Sequence, residues 1–258
     1  MAIVTGAGQG IGRAAAKRFA REGAAVVVAD VVGENAETVA KEIDQAGGRA
    51  VSVAIDVTDP DQVQAMIDTG RREFGGVDVL MTAAGVLGFG DAVQTDLDTW
   101  HRVIDVNLTG TFLCARAAIP AMIERGGGSI ITLTSSTGHH DASPGNVAYI
   151  ASKGGVAMLT KAIGIDHVKD GVRVNGLAPG PTRTPMLESV MTPSELQAFG
   201  EAMPIGRLAD PDELAAAAVF LASDDASYVT GAIFPVDGGQ TAKIGMTLAD
   251  LGTISRQT

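Results

Sequence analysis

Short β-branched runs alternate with longer helical patterns almost from one end of the chain to the other, and this alternation restricts the fold more than any other feature. The runs at 2–4, 25–29, 50–55, 77–82, 129–133, 172–177 and 232–236 read as strands. The segments near 11–22, 35–46, 60–74, 97–124, 147–168 and 211–222 read as helices. Parallel strands need long crossovers, usually helical, so the pattern predicts an α/β fold: a doubly wound seven-stranded parallel sheet with helices on both faces. No Pro/Ser-rich linker or fixed-period repeat divides it, so residues 1–240 are expected to form one domain. The longest break in the alternation is 182–208, where Met186, Leu187, Val190, Met191, Leu196, Phe199 and Met203 recur at roughly helical spacing. An insertion of that size reads as a lid over a site or as an ordinary surface helix pair. Residues 241–258 form a tail without an assignable pattern.

Composition narrows the function classes. With 19 Lys and Arg against 30 Asp and Glu, the chain of 258 residues carries a net charge of −11. That sign opposes phosphate backbones and anionic lipid, which excludes nucleic acid and membrane surfaces as expected partners. An apolar share of 46% is too high for a disordered chain. The single cysteine, Cys114, cannot form an intrachain disulfide, and the N-terminal residues show no basic stretch or apolar signal core. A reducing, cytoplasmic setting is expected. The 33 glycines follow no collagen period and point to loops where backbone approaches another group closely.

The first strand runs directly into TGAGQGIG at 5–12 and then into a helix pattern. A GxGxxG match would need glycine at position 11, which is Ile11; the spacing that fits is GxxxGxG at Gly6, Gly10 and Gly12. Such a loop turns backbone N–H groups and a helix N-terminus toward a pyrophosphate. Asp30 closes the second strand 18 residues past Gly12, where a carboxylate can accept hydrogen bonds from an adenosine ribose and would repel a 2′-phosphate. The reading is therefore NAD rather than NADP. Asp56 ends the third strand within DVTDP and is placed either to meet an adenine edge or to begin a helix turn with Asp59 near the cap.

Tyr149 and Lys153 stand four apart in YIASK, on one face of a predicted helix. A phenol has a pKa of about 10 and must be poised lower to exchange a proton with an alcohol or carbonyl near neutrality. A neighbouring cation shifts a pKa by roughly one to three units. Ser136 lies 13 residues before Tyr149, just beyond a strand, and could bind the reacting oxygen; Ser135 is its immediate neighbour and points elsewhere if the backbone remains extended. His139, His140 and Asp141 raise the possibility of a metal, but adjacent residues of an extended loop face opposite sides, and no metal site is expected.

TGAGQGIG, Asn107 within DVNLTG, Ser136, the Tyr149/Lys153 pair and APG at 178–180 together closely resemble the short-chain dehydrogenase/reductase family over roughly residues 1–239. The resemblance implies a Rossmann fold and a catalytic tetrad. Tyr149 would be the general acid/base, and Lys153 would lower its pKa and hold the nicotinamide ribose. Ser136 would orient the substrate oxygen, and Asn107 would hold a water of the proton relay. It also implies that the cofactor lies against Gly6, Gln9, Gly10, Ile11, Gly12, Asp30, Asp56, Val57, Ala83, Ala84, Gly85, Tyr149, Lys153, Pro179, Gly180, Thr182 and Thr184.

The family usually has Asn-Asn-Ala-Gly after the fourth strand. This chain has Thr82-Ala83-Ala84-Gly85, which puts local hydrogen bonding there in question. A substrate pocket walled by 86–93, 139–146 and 186–203 would take a medium-sized secondary alcohol or ketone. The competing activity is 3-oxoacyl carrier-protein reduction, for which an acidic enzyme would need a local basic patch to dock an acidic carrier. A non-catalytic dinucleotide sensor would not need Tyr149, Lys153 and Ser136 together, and a methyltransferase has no use for the pair. Family members are commonly tetramers. The alanine-rich helix faces Ala115, Ala117, Ala118, Ala121 and Ala151, Ala157, Ala162 would allow close approach of a second copy, or equally ordinary core packing.

Overall fold

The computed structural model describes residues 1–138 and 142–243. Its strands are β1 (Ala2–Thr5), β2 (Ala25–Asp30), β3 (Arg49–Ala54), β4 (Val79–Thr82), β5 (Gly128–Leu133), β6 (Val172–Pro179) and β7 (Ile233–Val236). They form one parallel sheet in the order β3-β2-β1-β4-β5-β6-β7, as the alternation predicts. The order reverses between β1 and β4, and the crevice beyond their carboxyl ends is where an open α/β sheet offers a binding site.

Burial explains the apolar strand runs. All six residues of β2 are buried, because parallel strands under crossover helices are covered on both faces. Val26 and Val28 pack with Ala15, Phe19, Leu214 and Leu221, from α1 (Gly10–Arg21) and the last long helix, Pro211–Ala222. Val27 and Ala29 face the other side with Ile67, Cys114 and Ala118. Two further crossover helices are α2 (Gly33–Gln45) and α3 (Pro60–Phe74). Asp59 caps α3 by accepting from the N–H groups of Asp61 and Gln62, and Gly75 ends it at φ 83°. Asp59 thus takes the cap role that the sequence allowed beside Asp56.

The helix expected over 97–124 is interrupted. It consists of α4 (Leu97–Ile104), one π turn at Asp105–Thr109 and α5 (Gly110–Glu124). The wider turn carries Asn107, which is completely buried. A single inserted residue leaves the apolar period nearly unchanged, so the sequence pattern did not reveal it. Among the described residues, Leu97–Glu124 is the one helix long and apolar enough to cross a membrane, and half of its most apolar stretch is buried inside the protein.

The departure at Thr82 has a structural consequence. Its hydroxyl is buried and has no hydrogen-bond partner among the described residues. Nearby, Ala84 N–H reaches the Thr5 hydroxyl at 3.4 Å, a long bond.

Candidate active site

At Gly6 the backbone is left-handed, with φ 60°, and a β-carbon there would come within 2.7 Å of the Ala84 backbone. A β-carbon at Gly12 would lie 2.2 Å from the Gly6 carbonyl oxygen. At these two positions the loop has no room for a side chain, and the start of α1 lines the crevice. Asp30 is fixed by two main-chain donors: Gly8 N–H to Oδ2 at 2.8 Å and Val32 N–H to Oδ1 at 2.9 Å. The groove, about 350 Å³, is lined by Gly6, Gln9, Gly10, Ile11, Gly12, Asp30, Asp56, Val57, Ala83, Ala84, Gly85 and Thr184. Asp56 is exposed, and its Oδ1 accepts from the N–H and hydroxyl of Thr58 at 2.9 and 2.8 Å, so it makes a local turn as well as lining the groove. A cradle closed to β-carbons, a helix N-terminus and a fixed carboxylate fit the pyrophosphate and ribose of a dinucleotide.

This groove adjoins a cavity of about 600 Å³ lined by Tyr149, Lys153, Ser135, Ser136, Pro179, Gly180 and Thr182 among others. Thr182 donates to the Gly180 carbonyl at 2.9 Å, and Thr184 caps the short helix α7 (Pro185–Glu188). Tyr149 and Lys153 lie one turn apart on α6 (Val147–His167). The Lys153 ammonium sits 5.7 Å from the Tyr149 ring centre and donates to the Leu133 carbonyl at 2.7 Å. Burial lowers the Lys153 pKa to about 8. Burial also raises that of Tyr149, with the Ser135 hydroxyl opposing the rise. In the protein by itself the phenol is thus held above its usual value rather than below it. Taking a phenolate out of water outweighs an amine that burial is also pushing toward neutrality.

The structure separates the two serines: Ser135 lies near enough to the Tyr149 phenol to hold its pKa down, whereas the Ser136 hydroxyl donates to Gln240 Oε1 at 3.2 Å. Thr134 and Ser136 donate main-chain hydrogen bonds to Leu177 and Pro179, so extended backbone continues past β5 and the two serines point to opposite sides. Counting back from Tyr149 crosses an irregular loop and loses this register; counting forward from the strand keeps it.

Asn107 reaches the same place from the π turn. Its Oδ1 accepts from Val86 N–H at 2.8 Å, while Nδ2 donates to Val86 O at 3.1 Å and to the Ser152 hydroxyl at 3.0 Å. Ser152 in turn donates to the Tyr149 carbonyl at 2.7 Å. The side chain thus joins the loop after β4 to the helix that carries Tyr149. A β-carbon at Gly85 would be 3.4 Å from Asn107 Oδ1 and 3.8 Å from Lys153 Nζ, so these groups converge on one point.

Met186 and Leu187 of α7, Val190 and Met191 of the following turn and Phe199 of α8 (Pro193–Ala202) also line the larger cavity. The loop at 86–96 is tied to the one before α6 by Gly90 N–H to Gly145 O at 2.8 Å. Gln240, Ser152 and the Leu133 carbonyl were not singled out from sequence. A signal that could have found Gln240 is the Asp237-Gly238-Gly239 turn just before it. His139, His140 and Asp141 lie outside the described residues, as does most of the tail; among the described residues no cluster suited to a metal ion occurs.

Half-buried Tyr149 meets buried Lys153 and Ser135 at the junction of an apolar cavity and a groove that fits a dinucleotide. The family model described as Enoyl-(Acyl carrier protein) reductase matches residues 6–241. The chain is 44% identical to cis-4-hydroxycyclohexanecarboxylate dehydrogenase of Sinomonas cyclohexanicum, covering 94% of this chain and 96% of that protein. It is 41% identical to meso-2,3-butanediol dehydrogenase of Serratia marcescens, over 94% and 95% of the two chains. The crystal structure of a short-chain type dehydrogenase/reductase from Mycobacterium marinum superposes with a TM-score of 0.88 at 38% identity, covering 94% of this chain and 95% of that one. The chain belongs to the short-chain dehydrogenase/reductase family, whose members act with a nicotinamide dinucleotide.

Proposed function

We propose that this protein is an NAD-dependent dehydrogenase interconverting a secondary alcohol and a ketone, with Tyr149 as general acid/base. The observation that carries the reading is the meeting of half-buried Tyr149 with buried Lys153 and Ser135 in the lining of the 600 Å³ cavity. In oxidation Tyr149 takes the hydroxyl proton, and Ser135 holds the reacting oxygen in the role first expected of Ser136. Lys153 supports the phenolate and reaches toward the ribose. Asn107 holds the geometry between Val86 and α6 beside the proton path. A nicotinamide cofactor held in the groove would supply the hydride acceptor, and its cationic ring would favour the Tyr149 phenolate. Helices α7 and α8 act as the lid, and their apolar lining selects a medium-sized, largely apolar substrate.

The cofactor reading rests on Asp30. Its buried carboxylate faces the groove beside the exposed apolar Val31 and Val32, and no Lys or Arg is among the described residues lining it. A 2′-phosphate would meet a negative charge with no cation to offset it. NAD is expected to give a higher kcat/KM than NADP with the same alcohol, and Asp30→Ala should narrow the gap by about tenfold or more. Equal kcat/KM for the two cofactors in the unaltered protein would overturn this assignment.

Association as a homotetramer is part of the proposal. Ala115, Ala118, Ala121 and Ala157 turn into the core, so the predicted alanine faces serve internal packing in large part. What α5 and α6 present outward is Phe112, Met158 and Ile165, exposed at 44%, 63% and 73%. Light scattering at micromolar concentration should give a mass above that of the monomer; a monomer alone rejects the proposal. Cys114, buried with its pKa pushed up to about 12, is an inert core thiol suited to the cytoplasmic setting proposed here.

A further inference from the structure

The segment after β7 folds back on the catalytic cavity, and nothing in the reaction just described uses it. Asp237 organises this return. Its Oδ1 accepts from Gly239 N–H at 3.0 Å, and its Oδ2 accepts from Thr241 N–H at 2.9 Å and the Thr241 hydroxyl at 2.5 Å. Gln240 N–H donates to the Asp237 carbonyl at 3.1 Å, closing a turn. Gly180 packs against the same turn, where a β-carbon would lie 2.7 Å from Asp237 Cα. The carboxamide of Gln240 is thereby delivered to the cavity wall, where it meets Ser136.

We propose that Ser136 and Gln240 form a second polar subsite that binds an additional hydroxyl of the substrate, so that the preferred substrate class is a neutral diol. This rests on the dehydrogenase reading above. Two adjacent serines point to opposite sides yet both line one cavity, and only Ser135 is engaged with Tyr149. Ser136 is 3% exposed and gives its proton to Gln240 Oε1, so what it offers a ligand is oxygen lone pairs. Lone pairs suit a hydroxyl that donates. The same cavity is lined by apolar Leu87, Phe89, Met186 and Phe199 as well as by polar Ser143 and Asn146. A ring or short chain bearing two hydroxyls would place one at Tyr149 and Ser135, the other at Ser136 and Gln240, and its carbon skeleton against the apolar side chains.

The test compares cyclohexanol with the cis and trans isomers of 1,2-, 1,3- and 1,4-cyclohexanediol, using NAD and steady-state kinetics. At least one diol should exceed cyclohexanol in kcat/KM by about tenfold, mainly through a lower KM, the size expected for one retained hydrogen bond. Gln240→Leu and Ser136→Ala should each bring that ratio close to one, and the double variant should lower it no further. A wild-type protein that prefers no diol overturns the subsite, as does a ratio that persists in both variants. Equal losses on cyclohexanol and the diol in both variants mark a structural role and also overturn it. Thermal melts identify a variant that fails to fold, and Ser136→Ala then supplies the ratio. If no alcohol of the panel is turned over, the dehydrogenase reading and the subsite fall together.

Discussion

Tyr149→Phe is expected to lower kcat by roughly 10²–10⁴-fold, the range that positioned general acid/base catalysis supplies, while NAD affinity changes by about threefold at most. The substitution deletes one oxygen and keeps the ring, so the packing of α6 and the position of Lys153 should persist. Burial holds the Tyr149 pKa above its ordinary value in the protein alone, so the phenolate that alcohol oxidation needs is disfavoured until positive charge gathers around it. Lys153 supplies part of that charge. The same balance predicts that oxidation of a secondary alcohol speeds up as pH rises, because the phenol must lose its proton before it can accept one. Ser135→Ala should reproduce much of the kcat loss and Ser136→Ala should not, since Ser135 is the hydroxyl engaged with Tyr149. Titration calorimetry with NAD alongside steady-state rates separates binding from chemistry. Turnover of Tyr149→Phe within tenfold of the parent would remove this residue from the proton path.

The parts of this site readable in the sequence are those fixed by local periodicity. A strand feeding a glycine loop and a helix, an acidic residue closing the next strand, and a Tyr/Lys pair one helical turn apart all lie within short segments of regular geometry. Each appears in the structure where its spacing put it. What the sequence did not disclose depends on irregular backbone or on distant contacts. Ser135 and Ser136 differ only in which side of an extended strand end they take, and that register was lost by counting across a loop. The π turn at Asp105–Thr109 adds one residue to an otherwise continuous helix, too small a change for a hydrophobic pattern to register. Gln240 reaches Ser136 across 104 positions of chain, through a turn whose form depends on the Asp237 carboxylate. The direction of the Tyr149 shift followed from burial, which a motif does not state.

Lys153→Met should abolish turnover and yet stabilise the protein at neutral pH. The amine is buried, with its pKa lowered to about 8 from 10.5, and desolvation is the cause. Between those two values the unfolded chain binds more protons than the folded one, so the stability of the parent protein rises with pH across that interval. Below about pH 8 both states are protonated, and the folded state carries the whole cost of the buried ammonium, about 3 kcal/mol by the size of the shift. Methionine keeps most of the stem and removes the charge, but it leaves the Leu133 carbonyl without the hydrogen bond that Lys153 donates. That orphaned acceptor costs about 1–3 kcal/mol. The expected net gain at pH 6–7 is about 1 kcal/mol, or roughly 2–4 °C in Tm. The gain should shrink from pH 8 upward and reverse above 10.5, where the parent lysine is neutral in both states and retains its hydrogen bond. Melting curves of the two proteins across that pH range, without cofactor, provide the measurement. A variant no more stable at pH 6–7 than at pH 10.5, relative to the parent, would show that the ammonium bears no such cost. The cation would then be solvated in the folded protein, and the account of a dry site that places positive charge against a reluctant phenol would lose its physical basis.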